Sequence, residues 1–186
     1  MATTTQPTST TTWNLDAAHS LVEFSAKHMM ITTVKGRLRD VTGSIQIDDQ
    51  RPERSTVEVS FNAASIDTGV AQRDQHLVSA DFLDTANYPT ITFKSTRIEG
   101  ARAESGEEFT VVGDLTIRGT TREVKLTATY EGRGRDPWGG ERISFTAKGK
   151  IDRREFGLVW NQTLETGGIL VSNEIKINIE AQAVRA

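Results

Sequence analysis

From Trp13 onward, apolar and polar residues alternate along much of the chain. Val22, Phe24, Ala26 and His28 fall on one side of an extended segment, with Glu23, Ser25 and Lys27 on the other. The same period of two recurs at Val41, Gly43, Ile45 and Ile47, at Val57, Val59, Phe61 and Ala63, and at Ile91, Phe93 and Ser95. It continues at Val124, Leu126, Ala128 and Tyr130, at Ile143, Phe145 and Ala147, and at Ile175, Ile177, Ile179 and Ala181. A strand with one face in a core and the other in water requires this period, and β-branched and aromatic side chains suit its apolar positions. Turn-forming residues separate the runs: Asp48–Asp49, Glu99–Gly100, Ser105–Gly106, Arg118–Gly119, Asp136–Pro137 with Gly139–Gly140, and Gly167–Gly168. Many short amphipathic strands, without the strand–helix–strand rhythm of a parallel sheet, predict an all-β antiparallel sandwich or barrel.

One stretch breaks the rhythm. Residues 70–83 carry Leu77, Phe82 and Leu83 among Arg73, Asp74, Gln75, His76 and Asp81, which predicts a short helix with Asp67 or Thr68 near its start. Asn87-Tyr88-Pro89 ends it, because a residue before proline disfavours the helical region. Such a helix, set between two strands, would plug or cover one end of a barrel.

Composition narrows the classes. A chain of 186 residues fits one all-β domain, expected over residues 13–186, preceded by a disordered Thr-rich tail over residues 1–12. The absence of cysteine excludes disulfides, thiolate metal sites and a cysteine nucleophile. A net charge of -3 argues against nucleic acid or an anionic membrane surface as the main partner. The basic clusters Arg133–Arg135 and Arg153–Arg154 have acids beside them and read as solvated barrel rims. No run approaches the ~18 apolar residues of a membrane span, and the Thr-rich start has no leader-like apolar segment. The expected location is the cytoplasm, or the periplasm if a leader has been removed.

Candidate chemistry is sparse. The chain has no Gly-x-Ser-x-Gly elbow, phosphate-binding glycine loop, dinucleotide fingerprint or His-Glu-x-x-His. Its three histidines, His19, His28 and His76, are not spaced as neighbours on one element, so neither a metal nor another cofactor is called for. Asp74 and His76 differ by two helix positions and would not face each other. Helix capping and ion pairing explain Arg73-Asp74-Gln75-His76, unless Arg73 or His76 reaches a ligand headgroup.

Several blocks nevertheless occur in a recognisable order. Trp13-Asn14-Leu15-Asp16 precedes His19-Ser20, Val22, Phe24, Lys27-His28 and Val34-Lys35-Gly36. Arg73-Asp74, His76-Leu77, Ser79, Asp81-Phe82 and Tyr88-Pro89, Ile91, Phe93 come next. Gly113-Asp114-Leu115-Thr116-Ile117, Gly119, Thr121 and Arg153, Phe156-Gly157-Leu158, Trp160-Asn161 complete the series. Together they resemble the YceI-like proteins, the bacterial polyisoprenoid-binding family, from Trp13 to about Ala183. The resemblance implies an eight-stranded lipocalin-like antiparallel barrel with a short helix between strands. It also implies an elongated cavity for a polyprenyl phosphate or quinone type of lipid, a homodimer, and no catalytic residues.

The inward parity suits that cavity. Phe24, Val59, Phe61, Phe93, Leu126, Phe145, Phe156, Leu158, Trp160 and Ile177 are its expected wall, with His28, Arg73 and His76 near its mouth. Ala26, Gly43, Ala63, Gly113, Ala128 and Ala147 would leave room along the axis. The residues alone leave two alternatives open: an enzyme acting on a prenyl or other small apolar substrate, and a ligand-free structural or interaction module.

Overall fold

The alternating runs become strands, and each pairs with its neighbour in the chain. The structure, a computed structural model, describes residues 10–186. Strands β1 (Thr10–Leu15) and β2 (Leu21–His28) are one strand broken where the Asp16 side chain accepts the Ala18 N–H and turns the chain through a single 3-10 turn. Strands β3 (Thr32–Leu38) and β4 (Val41–Asp48) form a second broken strand. Strands β5 (Thr56–Asn62) and β6 (Ile66–Asp67) form a third, interrupted where Asn62 accepts the Ala64 N–H. After helix α1 (Ala71–Val78) come β7 (Thr90–Glu99), β8 (Glu108–Ile117), β9 (Thr120–Arg135), β10 (Glu141–Asp152) and β11 (Glu174–Arg185).

The 11 segments therefore make an eight-stranded antiparallel barrel. β11 closes the ring, pairing Ile177 with Phe24 of β2 and Arg185 with Trp13 of β1. Closure leaves none of the long strands with an unpaired edge. The fold is the lipocalin-like barrel expected, although its first strand starts at Thr10 rather than Trp13. Thr10, Thr11 and Thr12 pair with Asp48, Ile47 and Gln46, because β-branched threonines suit a ladder that has a partner waiting. The rest of the expected tail lies outside the described residues.

The barrel has two distinct ends. One, the lid end, carries the β2–β3 turn, α1, the β8–β9 turn and the long connection 153–173. The other carries the start of β1, the β4–β5, β7–β8 and β9–β10 connections and the end of β11. Among the described residues, no helix is long and apolar enough to cross a membrane.

The helix is shorter than its pattern suggested, and it is capped differently. Val70 occupies the N-cap with no side-chain bond, while Asp74 reaches back to accept the Thr68 N–H at 2.9 Å and the Thr68 hydroxyl at 2.5 Å. Asp67 instead accepts the Gly69 N–H. The helix ends at Ser79, whose N–H and hydroxyl both donate to the His76 carbonyl, well before Pro89.

Arg153 is a second departure. It is 3% exposed rather than a solvated rim residue. Connection 157–173 folds back over it and presents carbonyls that the guanidinium bonds: Leu158 at 2.6 Å, Trp160 and Ser172 at 2.9 Å, and Val171 at 3.4 Å. A planar group with five donors can satisfy several carbonyls that water does not reach. Burial pushes its pKa down, and the charge of neighbouring Asp152 opposes that shift. The other basic positions fit rims: Arg133 pairs with Asp49, Arg135 with Glu141 and Arg154 with Asp152.

Candidate functional site

Inward side chains of a small barrel can fill it or leave a tube, and here small residues on neighbouring strands decide. Phe24 lies opposite Gly36 in the β2–β3 register, and a Cβ at Gly36 would sit 2.4 Å from the ring's Cζ. A Cβ at Gly113 would meet Phe93 Cζ at 2.5 Å, and one at Gly149 would meet Leu126 Cδ2 at 2.6 Å. Each bulky inward side chain thus beds down on the bare backbone of its neighbour instead of reaching the axis. The centre stays open.

The result is one cavity of about 780 Å³ whose wall includes residues from both ends of the barrel. That is toward the upper end of the ~300–1,000 Å³ typical of small-molecule sites. Phe24, Val59, Phe61, Phe93, Leu126, Phe145 and Ile177 reach it from strands. Leu158 and Trp160 reach it from connection 157–173, His28 from the end of β2, and Arg73 and His76 from α1. Phe156 does not. The chain leaves the sheet after Asp152 and enters a 3-10 turn, Arg153–Phe156, so the period of two no longer operates. Phe156 is instead 1% exposed within the packed core.

The small residues divide similarly. Ala26, Ala128 and Ala147 stand on the wall, whereas Gly43, Ala63 and Gly113 do not. Gly43 makes room for its neighbour, since a Cβ there would lie 2.4 Å from the Glu58 carbonyl oxygen. Sequence reasoning missed Leu77, Phe82, Phe109 and Tyr130, which also face the cavity. Phe109 was within reach, because Glu108-Phe109-Thr110-Val111 alternates like the other strands.

Over the lid end, His76, Phe82 and Trp160 form an aromatic cluster. The His76 ring meets Trp160 edge-on at 4.6 Å and Phe82 at 5.0 Å, and Phe82 lies 5.3 Å from Trp160. His76 Nε2 is hydrogen-bonded to Asp81 Oδ2 at 2.8 Å, so Asp74 and His76 do serve separate partners. Arg73 is held against the chain by donating to the Thr68 hydroxyl at 2.7 Å and the Thr68 carbonyl at 3.0 Å. Arg118 donates to the Phe82 carbonyl at 2.8 Å and fixes the segment after α1.

Polar groups at the two ends differ in pairing. At the end away from the lid, Arg133 bonds Asp49 at 3.1 Å and Arg102 lies 3.3 Å from Glu107. At the lid end, His28 and Arg73 stand on the cavity wall, and neither forms an ion pair among the described residues, while Lys27 alternates to the outer face of β2. The arrangement suits an apolar chain along the axis with an acceptor-rich group beside His28 and Arg73.

Toward the end away from the lid, Trp13 packs with Ile47, Ile143 and Ala183, and the Arg133 guanidinium lies 4.9 Å over its ring, while the cavity wall reaches Asp49, Pro52 and Arg102. Arg142 ties this end, donating to Asp16 at 2.6 Å and to Asp136 at 2.9 Å. The Arg142 hydrogen bond, helped by His19, holds the Asp16 carboxyl below its ordinary range. Asp136 is also lowered, first by the Gly140 N–H and then by Arg142.

The sequence blocks and this hollow barrel meet in comparison with known proteins. The family model of the YceI-like domain matches residues 13–183. The chain belongs to the YceI-like family. It is 41% identical over 143 residues to Protein YceI of Escherichia coli O157:H7, covering 77% of this chain and 73% of that protein. The YceI-like barrel here also matches the solved structure of BcnA from Burkholderia cenocepacia, with a TM-score of 0.78 at 24% identity over 91% of this chain and 99% of that one. A polyisoprenoid binding domain from Saccharophagus degradans, implicated in plant cell wall breakdown, matches with a TM-score of 0.69 at 14% identity, covering 94% and 98%. The last two likenesses establish the shared fold.

Proposed function

We propose that this barrel binds a long-chain isoprenoid lipid of the polyprenyl phosphate or quinone type in its lumen, carries or stores it, and performs no chemistry on it. One observation carries the reading: the cavity of about 780 Å³ is walled mainly by aliphatic and aromatic side chains and touches both ends of the barrel. The Saccharophagus degradans polyisoprenoid binding domain supports it by analogy of fold.

Magnitudes assign the roles within such a ligand. Drug-sized ligands gain roughly 0.3 kcal/mol per heavy atom, so a five-carbon isoprene unit adds about 1.5 kcal/mol. Four units supply roughly 6 kcal/mol, which corresponds to a Kd in the tens of micromolar before any headgroup contact. The tail holds the ligand, and the headgroup beside His28 and Arg73 selects it. The His76–Asp81 pair packs against aromatic rings, which suits a cover over the tail rather than acid–base work.

The test compares neighbours on opposite faces of β7. Phe93 is buried against the lumen, whereas Lys94 points outward near Glu58. Phe93→Asp places a charge where the tail would lie and should abolish lipid retention through gel filtration, while Lys94→Asp should retain it as the parent does. Melting curves establish that both variants fold. Equal retention by two folded variants would discard an interior site.

A further inference from the structure

Exposed large apolar side chains are not spread evenly over this barrel. Among the described residues, Met29, Met30, Ile31, Val70, Tyr88 and Val159 all lie on the connections at the lid end, with Trp138 alone at the other. The most concentrated group is the β2–β3 turn, where Met30 is 59% and Ile31 77% exposed. Monomeric proteins rarely group such residues without a use for them.

The turn's backbone makes the placement harder to dismiss. The Ile31 N–H donates to the His28 carbonyl at 3.1 Å, and both residues between, Met29 and Met30, have positive φ, 52° and 58°. Asn and Gly fill such positions readily, and methionine does not. The turn is also joined to the lumen. The Met29 N–H donates to the Leu170 carbonyl at 2.7 Å, His28 bridges Val171, and His28, Leu170 and Val171 all stand on the cavity wall. The exposed apolar turn therefore borders residues of the cavity wall.

We propose that the lid end docks on a lipid bilayer surface, with Met29, Met30 and Ile31 entering the interface beside the mouth of the lumen. The purpose of docking rests on the carrier reading: a cargo that leaves the bilayer at this turn reaches the lumen without crossing water. A second copy of the chain fits the feature less well, because a stable interface buries about 800 Å² per partner and a three-residue turn is a narrow projection. A bilayer asks only that a few apolar side chains reach the headgroup–acyl boundary. With a net charge of -3, the contact is apolar in origin, so it calls for no anionic lipid and resists salt.

The experiment is co-sedimentation of the full chain with phosphatidylcholine vesicles, at low and high salt, with lumenal lipid followed separately by extraction and mass spectrometry. The parent and Trp138→Ala bind at both salt levels. The double variant Met30→Asp/Ile31→Asp, changed only at exposed positions, melts like the parent, keeps its lumenal lipid and binds vesicles roughly tenfold less or worse. Parent-like binding by the double variant overturns docking, as does loss of binding in Trp138→Ala. A parent dimer that the double variant splits assigns the turn to contact between copies and likewise overturns it. A parent that retains lipid without binding vesicles overturns docking alone. A parent that binds vesicles but never retains lipid supports docking and instead removes the carrier reading.

Discussion

The two ends of the barrel are built by different means. Away from the lid, strand residues narrow the lumen: Trp13, fully buried, packs on Ile47 of β4, Ile143 of β10 and Ala183 of β11, and Arg142 pairs with Asp16 and Asp136. At the lid end, appended segments cover it. Helix α1 and most of connection 153–173 lie over the ladder, which residues 170–172 join beside the end of β2, and they are held by Arg153 on four carbonyls and by Arg118 on the Phe82 carbonyl. A plug made of ladder residues cannot move aside without unpairing β1 from β4 and β11. One made of appended segments can open locally while every long strand stays paired. The lid is therefore the end that can open without disturbing the long strands.

That contrast can be broken or sharpened by substitution. The largest effect is expected from Trp13→Ala, which removes the most buried large side chain and should cost about 3–5 kcal/mol in denaturant unfolding. A loss below about 1 kcal/mol would mean that the ladder does not depend on this plug. Arg153→Met comes next. It leaves buried carbonyls without a donor and should cost about 3 kcal/mol or less. Hydrogen exchange should rise across 157–173 while the ladder stays protected, and a uniform rise over the whole barrel would show that the lid is not a separate unit.

The smallest effect tests the Arg142 clamp by pH. Asp16 and Asp136 have folded pKa values below their unfolded ones, near 3.9 for aspartate. Their contribution to stability is complete above that unfolded value and is lost as pH falls through the depressed folded values. Arg142→Met raises the folded values toward normal, so the variant should lose less stability than the parent on acidification. Toward the lid end, Asp152 is lowered first by Arg154 and Asp67 first by Arg39, so acid acts there too and the comparison is between the parent and Arg142→Met. An acid limb unchanged by Arg142→Met would mean that the clamp does not hold this end.

Most of the ladder was legible in the chain because burial on one face imposes the period of two. β3 was harder to see. Val34, Gly36 and Leu38 alternate with Lys35 and Arg37, but glycine hides the inward position by having no side chain to score. The start of β1 was masked by threonines that read as tail until Asp48, Ile47 and Gln46 came opposite them. Twofold parity misled at Phe156, where a 3-10 turn had replaced the strand, and local charge misled at Arg153, whose fate depends on carbonyls from another segment. The open lumen was not legible as geometry. It depends on which ring lies over which glycine, as with Phe24 on Gly36 and Phe93 on Gly113, and that pairing exists only once the strands are in register.

The central claim is that the space left by those bedded side chains is filled by a ligand's chain. The most direct measurement is to incubate the purified protein with a polyprenyl lipid, pass it through gel filtration, and quantify lipid in the protein peak by extraction and mass spectrometry. The account predicts lipid in a fixed ratio close to one per barrel. A protein peak free of lipid, from a barrel that is still folded, would contradict it.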